Sequence, residues 1–455
     1  MDNKEISHRS VLLVATIASF LTPFMGSSVN VALPVIGSEL AANAITLSWI
    51  TAAFLLTSAM FAVPFGKIAD IYGMKKIFTY GITIFTIASF LASLSPSAEL
   101  LTVFRAIQGF GSAMIFVTGL AIIISVFPPR ERGKAIGINV TAVYMGSVMG
   151  PVLGGLLTHY LGWRSIFYLM VPLGLLVIVL ISWKMKDREW AACKGEKLDL
   201  WGSLLYILTL LMVLVGFSEI TGLIGKLMLI WGVISIISFV VWELRVGNPV
   251  LEMKLFFENR MFAFSNLAAF ISFTGTFAVV FLLSLYLQYI KGFSPQDAGL
   301  ILATQTIFMT LIAPIVGRLS DKFESRKLSS IGMAITTMGL LIFSFLTAET
   351  SLYVILLSLV FLGIGSGIFS TPNTHAIMGS VERKYYGVAS ATVSTMRIIG
   401  QTLSMGMVLV IFSIYIGAVQ FNPQNYPALL ESIKLTFAIS TILGFVAIFA
   451  SLARK

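Results

Sequence analysis

The chain has 455 residues, of which 57% are hydrophobic and only 11% charged, with 30 Lys and Arg against 20 Asp and Glu and a net charge of +10. Soluble globular proteins carry about 25% charged residues, so composition excludes a soluble fold and identifies an integral membrane protein. The single cysteine, Cys193, excludes an intramolecular disulfide and a four-thiolate metal site.

A helix needs about 20 apolar residues to cross the hydrocarbon. After a short polar start, the run 11–36 is too long for a signal-peptide core and lacks a cleavage site, so it reads as a retained span. Further runs follow at 47–65, 77–94, 100–127, 135–157, 166–183, 200–217, 227–242, 262–290, 298–316, 328–346, 352–377, 388–418 and 433–452, which makes fourteen expected crossings. The seventh and eighth are short and separated by the glycine-rich SEITGLIGK. With the N-terminus inside, 24 of the 30 basic residues fall in cytoplasmic segments, as the positive-inside rule requires. The expectation is a multi-pass protein of the cell membrane with both termini cytoplasmic. These basic residues form short clusters between spans, whereas nucleic-acid sites gather them on one soluble face. The lipid bilayer, and no nucleic acid, is the expected partner.

A charged turn occurs twice. Residues 66–76 read GKIADIYGMKK and residues 317–327 read GRLSDKFESRK, so Gly66, Asp70, Lys75 and Lys76 align with Gly317, Asp321, Arg326 and Lys327. A fainter echo aligns Gly133 with Gly387. The offset of 251 residues exceeds a six-helix half by room for two more spans, giving a six–two–six plan: a first bundle over 1–185, a two-helix insertion over 186–250 and a second bundle over 251–455. Internal repeats of this kind mark secondary transporters, which rock one bundle against the other around a midplane site.

Further stretches carry a family resemblance: SVNVALP (28–34), LTVFRAIQGFGSA (101–113), GSVMGPVLGG (146–155), LGWRSIFYLMVPLG (161–174), LYLQYIKGFSPQDAGL (285–300) and STMRIIGQ (394–401). Together they make the chain similar to the major facilitator superfamily, and within it to the fourteen-span drug:proton antiporter-2 family. The resemblance implies an all-α fold of two six-helix bundles plus two central helices, and export of drug-like compounds in exchange for protons. It also implies that the charged turn is a conformational latch and that the GSVMGPVLGG face biases the cavity toward exchange.

The residues themselves permit these roles and plainer ones. Gly66 and Gly73 allow a tight connection, and Asp70 is suited to capping a helix or pairing with a cation; the alternative is a solvated loop that sets topology. Where the family has basic residues, this turn has Ile71 and Met74. Gly146, Gly150 and Gly154 line one helix face, with Gly155 beside them, and small residues at that spacing let helices approach closely in lipid, while Pro151 can kink the helix. Arg105 and Arg397 lie within spans, where an arginine costs about 2.5–3.5 kcal/mol to insert. Each is expected to face the bundle interior or a wet cavity, either coupling transport or tied to neighbouring carbonyls. Asn30, Trp49, Gln108, Asn139, Tyr286, Gln288, Gln305, Asn373 and Gln401 are further polar groups within spans, candidates for a cavity or for ties between helices.

No proton carrier stands out. The family's first-span acid falls at Met25, and the remaining candidates are Asp70, Glu39, Glu219 and His375. The sequence holds no nucleotide loop, HExxH or paired-cysteine motif, so neither cofactor nor metal is expected and the energy is expected from a gradient. The reading is a monomeric, non-enzymatic exporter of cationic or lipophilic drug-like small molecules coupled to protons. Its alternatives are export of one native metabolite, lipid or peptide, and uncoupled uniport.

Overall fold

A computed structural model describes residues 8–185, 189–191, 195–320, 323–382 and 386–454, so Asp321 and Cys193 lie outside the described residues. In hydrocarbon every backbone polar group must be satisfied internally, and the described residues are overwhelmingly helical. In chain order the helices are α1 (His8–Glu39), α2 (Ala44–Tyr72), α3 (Met74–Ser93), α4 (Ala98–Val126), α5 (Pro129–Leu161), α6 (Arg164–Lys184), α7 (Leu200–Ser218), α8 (Leu223–Glu243), α9 (Lys254–Glu258), α10 (Arg260–Thr276), α11 (Ala278–Leu285), α12 (Pro295–Leu319), α13 (Ser325–Phe343), α14 (Leu352–Gly379), α15 (Tyr386–Tyr415) and α16 (Tyr426–Leu452). Polar side chains start several of them by accepting a free backbone N–H: Asn43 from Thr46 (2.8 Å), Asp199 from Gly202 (2.9 Å), Asn259 from Phe262 (2.9 Å) and Ser294 from Asp297 (3.1 Å).

Among the described residues thirteen helical segments are long and apolar enough to cross a membrane, with α10, α11 and the π-turn Tyr286–Ile290 making one of them. The remaining expected crossing is α13, 19 residues long, whose first turn carries Arg326 and Lys327. It packs between α14 and α16 as α3 packs between α4 and α6. The correspondence extends further. The α1–α5 pair is matched by α10–α15, and α2–α4 by α12–α14.

α7 and α8 form a hairpin whose α7 rests on both α2 and α15. The Tyr206 hydroxyl donates to the Ala59 carbonyl (3.0 Å) and the Trp49 indole to the Ser218 hydroxyl (2.9 Å). Leu214 and Phe217 crowd Gly406.

The first and last six-helix groups meet along α5–α12, α2–α15 and α1–α11. Their hydrogen bonds to one another, among the described residues, all lie at one end of the molecule. Gln288 donates to the Val31 carbonyl (2.8 Å), Tyr289 to Pro34 (3.1 Å), Gln420 to Ala41 (2.7 Å) and the Ala44 N–H to Val419 (2.9 Å). Toward the opposite end, which carries the charged turns, Gly66, Gly133 and Gly137 face open space. One end is shut.

Candidate functional site: a cavity between the two halves

Between the halves lies a cavity of about 370 Å³, within the range of small-molecule sites. Helices of both halves wall it: α1, α2, α4 and α5 on one side, and α10, α11, α12, α14 and α15 on the other. The body of the wall is aromatic, from Phe54, Phe116, Phe273, Phe277 and Phe369. Asn30, Asn139, Tyr144, Gln305, Arg397 and Gln401 add polar groups, with serines and threonines between them. No carboxylate lines it among the described residues.

Asn30, Asn139, Gln305, Gln401 and Arg397, all expected from the sequence, reach this cavity. Asn30 accepts from Thr51 (2.8 Å), and Asn139 donates to Ser19 (2.8 Å) and the Ala15 carbonyl (3.3 Å), so both also tie helices. Arg397 is half-buried, its guanidinium carbon 5.5 Å from the centre of the Phe273 ring.

The other polar candidates lie elsewhere. Arg105 is fully buried inside the first bundle. Its Nε donates to the Ile50 carbonyl (3.1 Å), its Nη1 to Gln108 Oε1 (2.5 Å), and Phe54 lies 4.2 Å from its Cζ. Gln108 passes the chain on to Ser89 (2.7 Å). Arg105 and Gln108 therefore tie α2, α3 and α4 and do not line the cavity, because their helix turns that face toward its own bundle. Trp49 bonds to α7. Tyr286 is buried with its hydroxyl donating to the Thr347 carbonyl (2.7 Å), and Gln288 belongs to the shut end.

Asn373 donates to the Ser265 carbonyl (3.2 Å) and accepts from Arg454 (2.5 Å). Burial pushes the Arg454 guanidinium down to about 10, and its Nε and Nη1 have no partner among the described residues. His375 is exposed, off the cavity wall. Glu39 pairs with Arg164 and accepts from the Trp163 indole (2.8 Å), and Glu219 is exposed.

The glycine motif in α5 serves two neighbours. Gly146, Gly150 and Gly154 face α1: a Cβ at Gly146 would lie 2.5 Å from the Phe20 carbonyl oxygen, one at Gly150 would meet Ser27, and one at Gly154 would lie 2.7 Å from Ser28 Cβ. Gly155 faces α12 in the other half, with Pro295 O 2.5 Å from a built Cβ, and Gly299 in turn abuts Pro151. The halves close here through backbone contact.

The charged turn of the first half is held from outside. Gly73, at φ 120°, ends α2 and lets α3 begin at once. Asp70, half-buried, neither caps that helix nor forms an ion pair among the described residues. The cap comes instead from the segment between α6 and α7. Glu189 accepts the Lys75 N–H (2.7 Å), the Trp190 carbonyl accepts the Met74 N–H (2.7 Å), and Glu196 pairs with Lys67 (2.6 Å). Lys76 is exposed. In the second copy, a Cβ at Gly317 would meet Thr371 (3.8 Å), Arg326 reaches the Leu452 carbonyl (3.4 Å), and Lys327 pairs with Glu324 (3.5 Å).

Tyr144 and the cavity hydroxyls are missing from the sequence reading. Spacing offered a signal, since Ser394, Arg397 and Gln401 share one face of α15, as do Ser366 and Ser370 on α14.

A profile of the Major Facilitator Superfamily matches residues 15–244 and 266–455. The riboflavin transporter RibZ of Clostridioides difficile is 32% identical over 85% of this chain and 84% of its own length. The multidrug resistance protein Stp of Mycobacterium tuberculosis is 30% identical over 86% and 73%, and the multidrug transporter protein MdtP of Bacillus subtilis 28% over 88% and 75%. Among solved structures, an inward-facing, unoccupied bacterial homolog of the human lysosomal transporter Spinster superposes with a TM-score of 0.71 at 20% identity, covering 99% of this chain and 98% of that one. A shared cavity between two repeated helical bundles and a match across nearly the whole length agree: this multi-pass, non-enzymatic transport protein belongs to the Major Facilitator Superfamily.

Proposed function

We propose that the chain exports amphipathic, drug-like small molecules across the cell membrane by alternating access, in exchange for protons. One observation carries this reading: an aromatic-walled cavity, lined by both halves, with the hydrogen bonds between the halves, among the described residues, at one end. With the basic turns on the cytoplasmic side, the unsealed end faces the cytoplasm and the state described is the loading state. Rocking the halves about the α5–α12 contact would open the shut end and bring the two charged turns together. Asp70, which forms no ion pair among the described residues, is then free to find a cation, which makes the turns a latch for the opposite state. The resemblance to proteins named for multidrug resistance supports the cargo class.

The missing carboxylate on the described wall favours a second reading, uniport or export of one native metabolite, since proton-coupled carriers place an acid where it can be desolvated. Proteoliposomes with an imposed pH gradient and a dye panel separate the two. Proton exchange predicts accumulation that follows the gradient and collapses with an ionophore. Equilibration that ignores the gradient would establish uniport.

A further inference from the structure

Arg397 is the one charged side chain on the described cavity wall. No ion pair among the described residues involves it, and the Phe273 ring, 5.5 Å away, presents only a π-face. Gln401 follows one turn later on the same helix. Tyr144 faces it from the other half, close enough to interact with its charge. Gln305 contributes an amide whose Oε1 is buried and without a partner among the described residues.

A half-buried guanidinium with no counter-charge is a site waiting for one. Its fixed fork matches a carboxylate or sulfonate bidentately, and the low dielectric of an apolar cavity strengthens that attraction. A cationic ligand in the same place meets repulsion with no carboxylate to offset it, which selects against cations. The aromatic wall would hold a flat apolar body beside the charge.

We propose that the cavity takes amphipathic organic anions, an aromatic body against the phenylalanines and one acidic group paired with Arg397. This rests on the transporter reading and reverses the preference for cations that the sequence suggests.

The test uses one pyrene scaffold in three charge states: 1-pyrenebutyrate, its neutral amide and the corresponding butylammonium. Equilibrium binding to the purified full-length protein should place the carboxylate at least about tenfold tighter than the ammonium, with the amide between. Arg397→Gln should bring the three within about threefold of one another, and Arg397→Lys should keep the order with a smaller gap. Tightest binding of the ammonium, failure of the carboxylate to bind, or a gap that survives Arg397→Gln would overturn the inference. If Arg397→Gln does not fold, the wild-type series decides alone. Uptake of the same compounds into proteoliposomes distinguishes the two claims. Translocation without charge preference removes the anion site and keeps the transporter. Carboxylate binding that depends on Arg397, without translocation under any gradient, does the reverse.

Discussion

Arg105 and Arg397 look alike in the sequence, each a lone arginine inside an apolar helix with a glutamine on the same face. The structure gives them different surroundings. Arg105 is fully buried, its Nε and Nη1 bonded to the Ile50 carbonyl and Gln108 and its Cζ beside the Phe54 ring, while its Nη2 has no partner among the described residues. Arg397 opens onto the cavity and forms no ion pair among the described residues. An intramembrane charge must be compensated: the protein's own groups do this for Arg105, and a bound anion is the compensation we propose for Arg397.

The largest expected effect tests the Arg105 tie. Arg105→Ala breaks the tie from α4 to the Ile50 carbonyl of α2 and takes the donor from Gln108 Oε1, leaving Gln108 with its bond to Ser89, a loss of about 3 kcal/mol. Thermal unfolding in detergent should show a clearly lowered midpoint, while transport per folded molecule changes little. A normal midpoint with abolished transport would erase the distinction between the two arginines. Arg397→Ala should give the converse, an unfolding midpoint close to wild type and transport of an anionic substrate down about tenfold.

The charged turns sharpen the comparison at smaller scale. Among the described residues, only the first is capped by a distant segment. Glu189→Ala leaves the Lys75 N–H at the start of α3 without its acceptor and should cost about 1 kcal/mol, seen as faster hydrogen exchange at the start of α3. The exposed Lys327–Glu324 pair of the second turn should matter least. Lys327→Ala is expected to change stability by under about 0.5 kcal/mol, and a larger change would mean that the second turn is also held.

Hydropathy made most of the crossings legible, and repeat spacing made the two halves legible, because both follow from one residue's environment or from pattern. What stayed hidden depends on neighbours far along the chain. Glu189 caps a helix 114 residues away, and no local pattern in KDREW announces it. Gly155 adjoins Gly154 in the sequence but faces a different half of the molecule, since successive helical residues turn by 100°. Helical spacing alone could not separate the arginines, because Arg105, Gln108 and Ser112 form a stripe on α4 just as Ser394, Arg397 and Gln401 do on α15. Only the packing of α4 against α2 and α3 turns its outer part away from the cavity.

The central claim is that the cavity is reached from one end at a time. Spin-label distances measured on a Cys193→Ser background test it directly, with one exposed pair across the shut end (Ser38 and Gln424) and another across the charged-turn end (Lys76 and Lys327). Alternating access predicts a short distance at the first pair when substrate is absent, and opposite changes at the two pairs when substrate and a pH gradient are applied. Both pairs widening together, or a second pair that never shortens while transport proceeds, would contradict it.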